Sequence, residues 1–160
     1  MSQKILYIVR HAKSSWKDLT LNDFDRPLNK RGKRNAPFMA DILQKKGVAP
    51  ELILTSPAKR AKDTALALHT ALGGELVERA DIYEASLSTL KSHLREAFTV
   101  HDSVMLVGHN PAIAALNNTV SNIAIYHIPT VAIVAISLED IDKLKGTQLF
   151  YEYPKKYKKK

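Results

Sequence analysis

Apolar residues fall along this chain in two rhythms. Unbroken runs at Ile5–Val9, Leu52–Leu54, Val104–Val107 and Thr130–Ser137 are strand-sized and read as strands buried on both faces. Gln148–Tyr153 alternates as an edge strand would, and a short strand is expected at Leu76–Val77. Between the runs, apolar positions recur every three or four residues. Ala36, Met39, Ala40 and Leu43 mark one helix, whose start Pro37 leaves open. Ala58, Ala61, Ala65, Leu68 and Leu72 mark a second, and Leu87, Leu90, Leu94 and Phe98 a third. Ser56-Pro57 and Asn110-Pro111 each read as a capping residue with proline at the first helical position. Ser86 reads as the cap of the third helix, and Gly73-Gly74 as the stop of the second.

Strand and helix alternating in this order imply an α/β sandwich with a mainly parallel sheet. Ligands of such folds gather at the carboxyl ends of strands. Three segments sit there: Arg10-His11, Ser56-Pro57-Ala58-Lys59-Arg60 and Gly108-His109-Asn110-Pro111.

Composition narrows the chemistry. The 160 residues suit one domain, expected over 1–153, with a lysine-rich tail over 154–160. An apolar share of 45% is enough for a full core. There is no cysteine, which excludes disulfides, thiolate-bound zinc and a cysteine nucleophile and suits the cytoplasm, the expected location. The longest apolar run, Val131–Ile136, is too short to span a membrane. Net charge is +8, and Lys155, Lys156, Lys158, Lys159 and Lys160 carry much of it. Such a run reads as a solvated, mobile tail, with docking to an acidic partner as the other reading.

Two arginines and two histidines converging on one sheet edge suit a phosphoryl group. Guanidinium donors form a planar fork that matches phosphate oxygens. Arg60 would lie in a first helical turn, where free N–H groups favour an anion. Neutral imidazole supplies a nucleophile near physiological pH. Each piece alone has an ordinary structural reading; their coincidence at three strand ends carries the argument.

Several blocks also resemble a known family. Tyr7-Ile8-Val9-Arg10-His11-Ala12-Lys13-Ser14 resembles the signature of the histidine phosphatase superfamily. Thr55–Ala65 resembles its second block and Val107-Gly108-His109-Asn110-Pro111 its third. Asp25-Arg26-Pro27-Leu28 with Arg31-Gly32, and Tyr83-Glu84-Ala85-Ser86, are similar to the short SixA-type branch of phosphohistidine phosphatases. The resemblance implies a three-layer α/β/α sandwich like the phosphoglycerate mutases, needing no metal or cofactor. It implies that His11 is the phosphorylated nucleophile, within a phosphate pocket of Arg10, Arg60 and His109. Ser14 matches a position that sometimes joins that pocket, and Glu84 stands near where ester-cleaving relatives keep an acid. Asp18, Asp23 and Asp25 are more distant candidates for the proton donor.

Three positions depart from the family pattern: Ala12 replaces a glycine, Lys17 a phosphate-binding asparagine, and Asn110 the aspartic acid of the acid-phosphatase branch. The expected substrate is phosphohistidine on a protein partner. One alternative is a broad phosphomonoesterase on small phosphorylated metabolites. Another is a non-catalytic phosphate- or nucleic-acid-binding protein, although no RNA-binding motif is present. The sequence leaves the oligomeric state open.

Overall fold

The computed structural model describes residues 3–157; Lys158, Lys159 and Lys160 of the expected tail lie outside the described residues. The described chain builds β1 (Lys4–Arg10), α1 (Lys30–Lys45), β2 (Leu52–Thr55), α2 (Lys59–Leu72) and β3 (Glu75–Glu78). It continues through α3 (Leu87–Ala97), β4 (Ser103–Gly108), α4 (Ala112–Val120), β5 (Ile133–Asp140) and β6 (Lys145–Glu152). The strands form one sheet in the order β3-β2-β4-β1-β5-β6. Pairing is parallel from β3 to β1, whereas β5 runs antiparallel to β1 and β6 antiparallel to β5.

Alternation along the strands makes two cores. Leu6, Ile8, Leu54, Leu106, Val134 and Ile136 pack with Leu90 and Leu94 of α3 and Ile113 and Leu116 of α4. Tyr7, Val9, Ile53, Met105 and Ala135 pack with Met39 and Leu43 of α1 and Leu68 of α2. Successive strand residues point to opposite faces, so a helix layer is needed on each side. The result is a three-layer α/β/α sandwich, as the family resemblance implies.

Several boundaries differ from the sequence expectation, each for a physical reason. α1 begins at Lys30 because Asn29 caps it, its side chain accepting from the Gly32 N–H at 2.8 Å, and Pro37 lies inside the helix. Gly32 is required there: a Cβ would stand 2.2 Å from the Lys13 carbonyl oxygen, just after the His11 segment. β5 starts at Ile133 rather than Thr130. Val131 adopts φ 52°, and its N–H reaches back to the carbonyls of Arg10 and His11 at 3.0 and 3.1 Å. Ser56 does not cap α2, which starts at Lys59 without a side-chain cap. Ser86 caps α3 as expected, accepting from the Thr89 N–H, and Gly73 ends α2 at φ 80°. The first residues of the expected mobile tail, Pro154–Tyr157, form a 3-10 turn whose Lys156 pairs with Glu152 and whose Tyr157 ring meets Phe38 of α1.

Candidate active site

The parallel strands β1, β2 and β4 stop level with one another, which brings their following residues together. Register pairs Arg10 with Gly108 and Thr55 with Val107. Beyond the strands the chain stays tied, with the His11 N–H on the Gly108 carbonyl at 3.0 Å and the Ser56 N–H on the Val107 carbonyl at 3.2 Å. The Thr64 hydroxyl, one turn after Arg60 in α2, accepts from the Ala12 N–H at 2.9 Å and donates to the Arg60 carbonyl at 2.7 Å. The His11 segment and the first turn of α2 are thereby locked together.

His11 is buried, and its two nitrogens have distinct partners. Nδ1 lies 2.7 Å from the Ala12 carbonyl oxygen, which can only accept, so Nδ1 carries the proton. Nε2 faces the Nε–H of Arg60 at 3.4 Å. Arginine can only donate, so a lone pair stands on Nε2. Both contacts select one tautomer. Burial pulls the His11 pKa down from 6.5 to about 3; the Ala12 hydrogen bond opposes this, while His109, Arg60 and Arg10 reinforce it. The ring is therefore neutral at physiological pH.

His109 lies beside it, ring centroids 5.0 Å apart. Its Nε2 is 2.8 Å from the Ser56 hydroxyl, which also accepts from the Ala58 N–H at 3.2 Å. A hydroxyl both donates and accepts, so this contact fits either tautomer of His109. Burial lowers the His109 pKa to about 4, helped by Arg60 and Arg10 and opposed by Asp23. Both arginines thus act electrostatically on both rings. His109 Nδ1 and Arg10 Nε are buried without a hydrogen-bond partner among the described residues, while Arg10 is held by one bond from its guanidinium to the Ile128 carbonyl at 2.9 Å.

Asp23 is the residue whose place in the site the sequence understates. Its carbonyl and carboxylate accept from the two terminal nitrogens of Arg60 at 2.6 and 2.9 Å. The carboxylate also accepts from the Tyr83 hydroxyl at 2.7 Å and from Arg26 at 3.0 Å. Burial works against ionisation, but the bonds from Tyr83, Arg60 and Arg26 outweigh it and hold Asp23 at about 2. Tyr83 stands edge-on to His109 at 5.6 Å, and Phe24 edge-on to Tyr83 at 5.1 Å. An aromatic wall therefore runs from the surface to His109.

The remaining sequence candidates fall at the margin. Ser14 is buried, but its hydroxyl accepts from Arg26 at 2.6 Å, which makes it a support of the Asp23 loop. Glu84 is exposed at φ 58° beside Tyr83, and its side chain has no hydrogen-bond partner among the described residues. Asp18 and Asp25 do not join the cluster: Asp18 bonds to Thr20. Among the described residues no three His, Asp or Glu side chains are placed to hold a metal ion, and no helix is long and apolar enough to cross a membrane.

A pocket of two neutral histidines flanked by two arginines, set at the carboxyl edge of a three-layer sandwich, defines a phosphate-handling class. The chain belongs to the histidine phosphatase superfamily (branch 1), whose family model matches residues 6–99. Within it the protein is SixA-type: a crystal structure assigned to phosphohistidine phosphatase SixA of Agrobacterium tumefaciens is 31% identical, with a TM-score of 0.83 over 94% of this chain and 98% of that one. A tungstate complex of the protein histidine phosphatase SixA, 22% identical, shares the fold with a TM-score of 0.85 over 96% and 99% of the two chains. An uncharacterised chloroplastic protein of Arabidopsis thaliana is 33% identical over 116 residues, 66% of this chain and 53% of its own. The chain thus spans about half the length of that relative. An uncharacterised protein of Mycobacterium tuberculosis is 30% identical over 116 residues, 72% of each chain.

Proposed function

We propose that the protein is a phosphatase that takes phosphate from phosphohistidine on a protein partner through a covalent phospho-His11. The observation that carries this is the tautomer of His11, whose Nδ1–H donates to the Ala12 carbonyl and whose lone pair on Nε2 stands beside Arg60. That lone pair attacks phosphorus as the bond from phosphorus to the substrate imidazole breaks. The substrate imidazole first takes a proton from solvent on its nitrogen remote from phosphorus, so it departs as neutral imidazole when the bond breaks. Water then attacks phospho-His11, releasing inorganic phosphate and returning Nε2 with its lone pair.

Arg10, Arg60 and His109 stabilise charge on the non-bridging oxygens. Buried donors without acceptors are uncommon in folded proteins. Arg10 Nε is such a donor beside the nucleophile, and His109 Nδ1 also lacks a partner there; an oxyanion satisfies donors of this kind. Asp23 acts by holding the Arg60 fork in place.

The choice of substrate follows from the acids on hand. Asp23 stays ionised at any working pH and gives no proton. Glu84 is exposed and unanchored. An alkoxide leaving group needs a positioned acid, whereas an imidazole departs readily once protonated, with less help from the enzyme. Between β1 and α1 the described chain holds one 3-10 turn, Asp23–Asp25, and no longer helix that would cover the site from that side. That leaves an approach for a side chain presented on another protein. The test compares a protein phosphorylated on histidine by phosphoramidate with a small sugar phosphate. The expected result is a kcat/KM at least about tenfold higher for the phosphohistidine protein, equivalent to roughly 1.4 kcal/mol in the barrier. Equal or better turnover of the sugar phosphate would overturn the substrate assignment.

A further inference from the structure

The sheet register extends the active-site edge beyond β1. Val9 pairs with Ile133, and Ile133 with Glu152, so the end of β6 lies level with the end of β1. Two strand spacings separate them, about 10 Å. The turn Pro154–Tyr157 that follows β6 is therefore on the same edge as His11. The start of α1 is there too, pressed against the Lys13 backbone through Gly32.

Between these elements lies a cavity of 410 Å³ lined by Arg31, Arg34, Asn35, Phe38, Pro154, Lys155 and Tyr157. Arg31 also borders a larger groove of about 1090 Å³ with Lys17, Lys30 and Lys33, where Asp18 is the one acidic neighbour. Cations elsewhere in the described chain commonly have partners: Lys4 with Asp102, Lys45 with Asp41, Lys59 with Asp63 and Lys62 with Glu78. Lys17, Lys30, Arg31, Lys33, Arg34 and Lys155 have none among the described residues, and all are exposed. A row of unpaired like charges repels itself, and an anionic partner relieves that repulsion. Phe38 and Tyr157, edge to face at 6.1 Å, add an apolar floor.

From this we infer that the basic shelf along the α1 start and the β6 end docks an acidic segment of the phosphorylated protein, beside the residue offered to His11. The inference rests on the phosphohistidine reading above and adds the chemistry of the partner. A protein surface is favoured over nucleic acid because the shelf shares an edge with a site that takes its phosphate from a side chain.

The experiment uses the full chain and three probes: free phosphohistidine, a phosphohistidine peptide flanked by four glutamates, and the same peptide with four glutamines. Wild type should prefer the glutamate peptide by about tenfold in kcat/KM at low salt, within the range that electrostatic steering supplies. The preference should shrink to under about twofold in Arg31→Glu/Arg34→Glu and in 0.5 M salt, with free phosphohistidine turned over as before. Arg31→Gln/Arg34→Gln should lie between. If wild type shows no glutamate preference, or the reversed variant keeps it, the shelf assignment fails while the substrate reading stands. If free phosphohistidine and both peptides are all left intact, the reading beneath it fails as well. Tighter binding of a 20-nucleotide single-stranded DNA than of the glutamate peptide, lost in the same variant, would overturn the shelf in favour of nucleic acid.

Discussion

The ends of β1 and β4 each bring one histidine to the same pocket, yet they hold the two rings by opposite nitrogens. His11 gives its Nδ1 proton to the Ala12 carbonyl and keeps a lone pair on Nε2. His109 meets the Ser56 hydroxyl through Nε2 instead, at 2.8 Å, and its Nδ1 has no partner among the described residues. Burial lowers both pKa values, to about 3 and about 4, so neither ring is charged before substrate arrives. Roles in this pocket are assigned by second partners, a backbone carbonyl in one case and a serine in the other, rather than by the imidazoles themselves.

Replacing the two rings should break that comparison unequally. His11→Ala removes the covalent route and should lower turnover at least about a thousandfold, measured by phosphate release from a phosphohistidine protein. Arg60→Ala removes a charged donor and should cost about a hundred- to a thousandfold in kcat. Ser56→Ala leaves both histidines in place but removes the hydroxyl that holds His109 Nε2. The expected loss is about tenfold in kcat, the size of one good hydrogen bond, with KM changed less. An unchanged kcat in that variant would mean that Ser56 does not orient His109.

Glu84→Gln should change turnover of phosphohistidine by less than about twofold, because the exposed carboxylate gives nothing to an imidazole leaving group. A large loss confined to phosphoesters would instead mark Glu84 as an ester-cleaving acid. The smallest effect is on the pH profile. The nucleophile must be neutral, so activity is lost as pH falls through the folded pKa values. From pH 7.5 down to 5.5, kcat/KM should not fall, any rise reporting protonation of the substrate imidazole, and the loss should come only towards pH 4, once the substrate's own acid hydrolysis is subtracted. A fall in activity on acidification through 6.5 would show that the rings are not depressed. Stability shifts the same way: both histidines bind protons more readily unfolded, so acidification below 6.5 favours the unfolded chain.

Local signals were read well from the chain and distant ones were not. Ser86 acts within its own helix turn, and so do Gly73 and the alternation of Leu6 to Val9 between two cores. Ser56 shows the opposite case. A serine before proline looks like a helix cap, but its hydroxyl serves His109, 53 residues away, and the helix begins later. Asp23 was one of three acids in a loop until the fold set it on Arg60, 37 residues on, and on Tyr83, 60 residues on. The convergence of Arg10, His11, Arg60 and His109 was legible because each lies at a strand's end or within a few residues of it, and parallel strands end together. Asp23 and Tyr83 reach the pocket from 3-10 turns and loops, which carry no such rule.

The account turns on which nitrogen accepts phosphate. Wild-type protein mixed with a phosphohistidine substrate and quenched in base within milliseconds should carry acid-labile phosphate, which peptide mapping by mass spectrometry should place on His11. Label on His109 instead, or full turnover in His11→Ala with no labelled histidine at all, would contradict it.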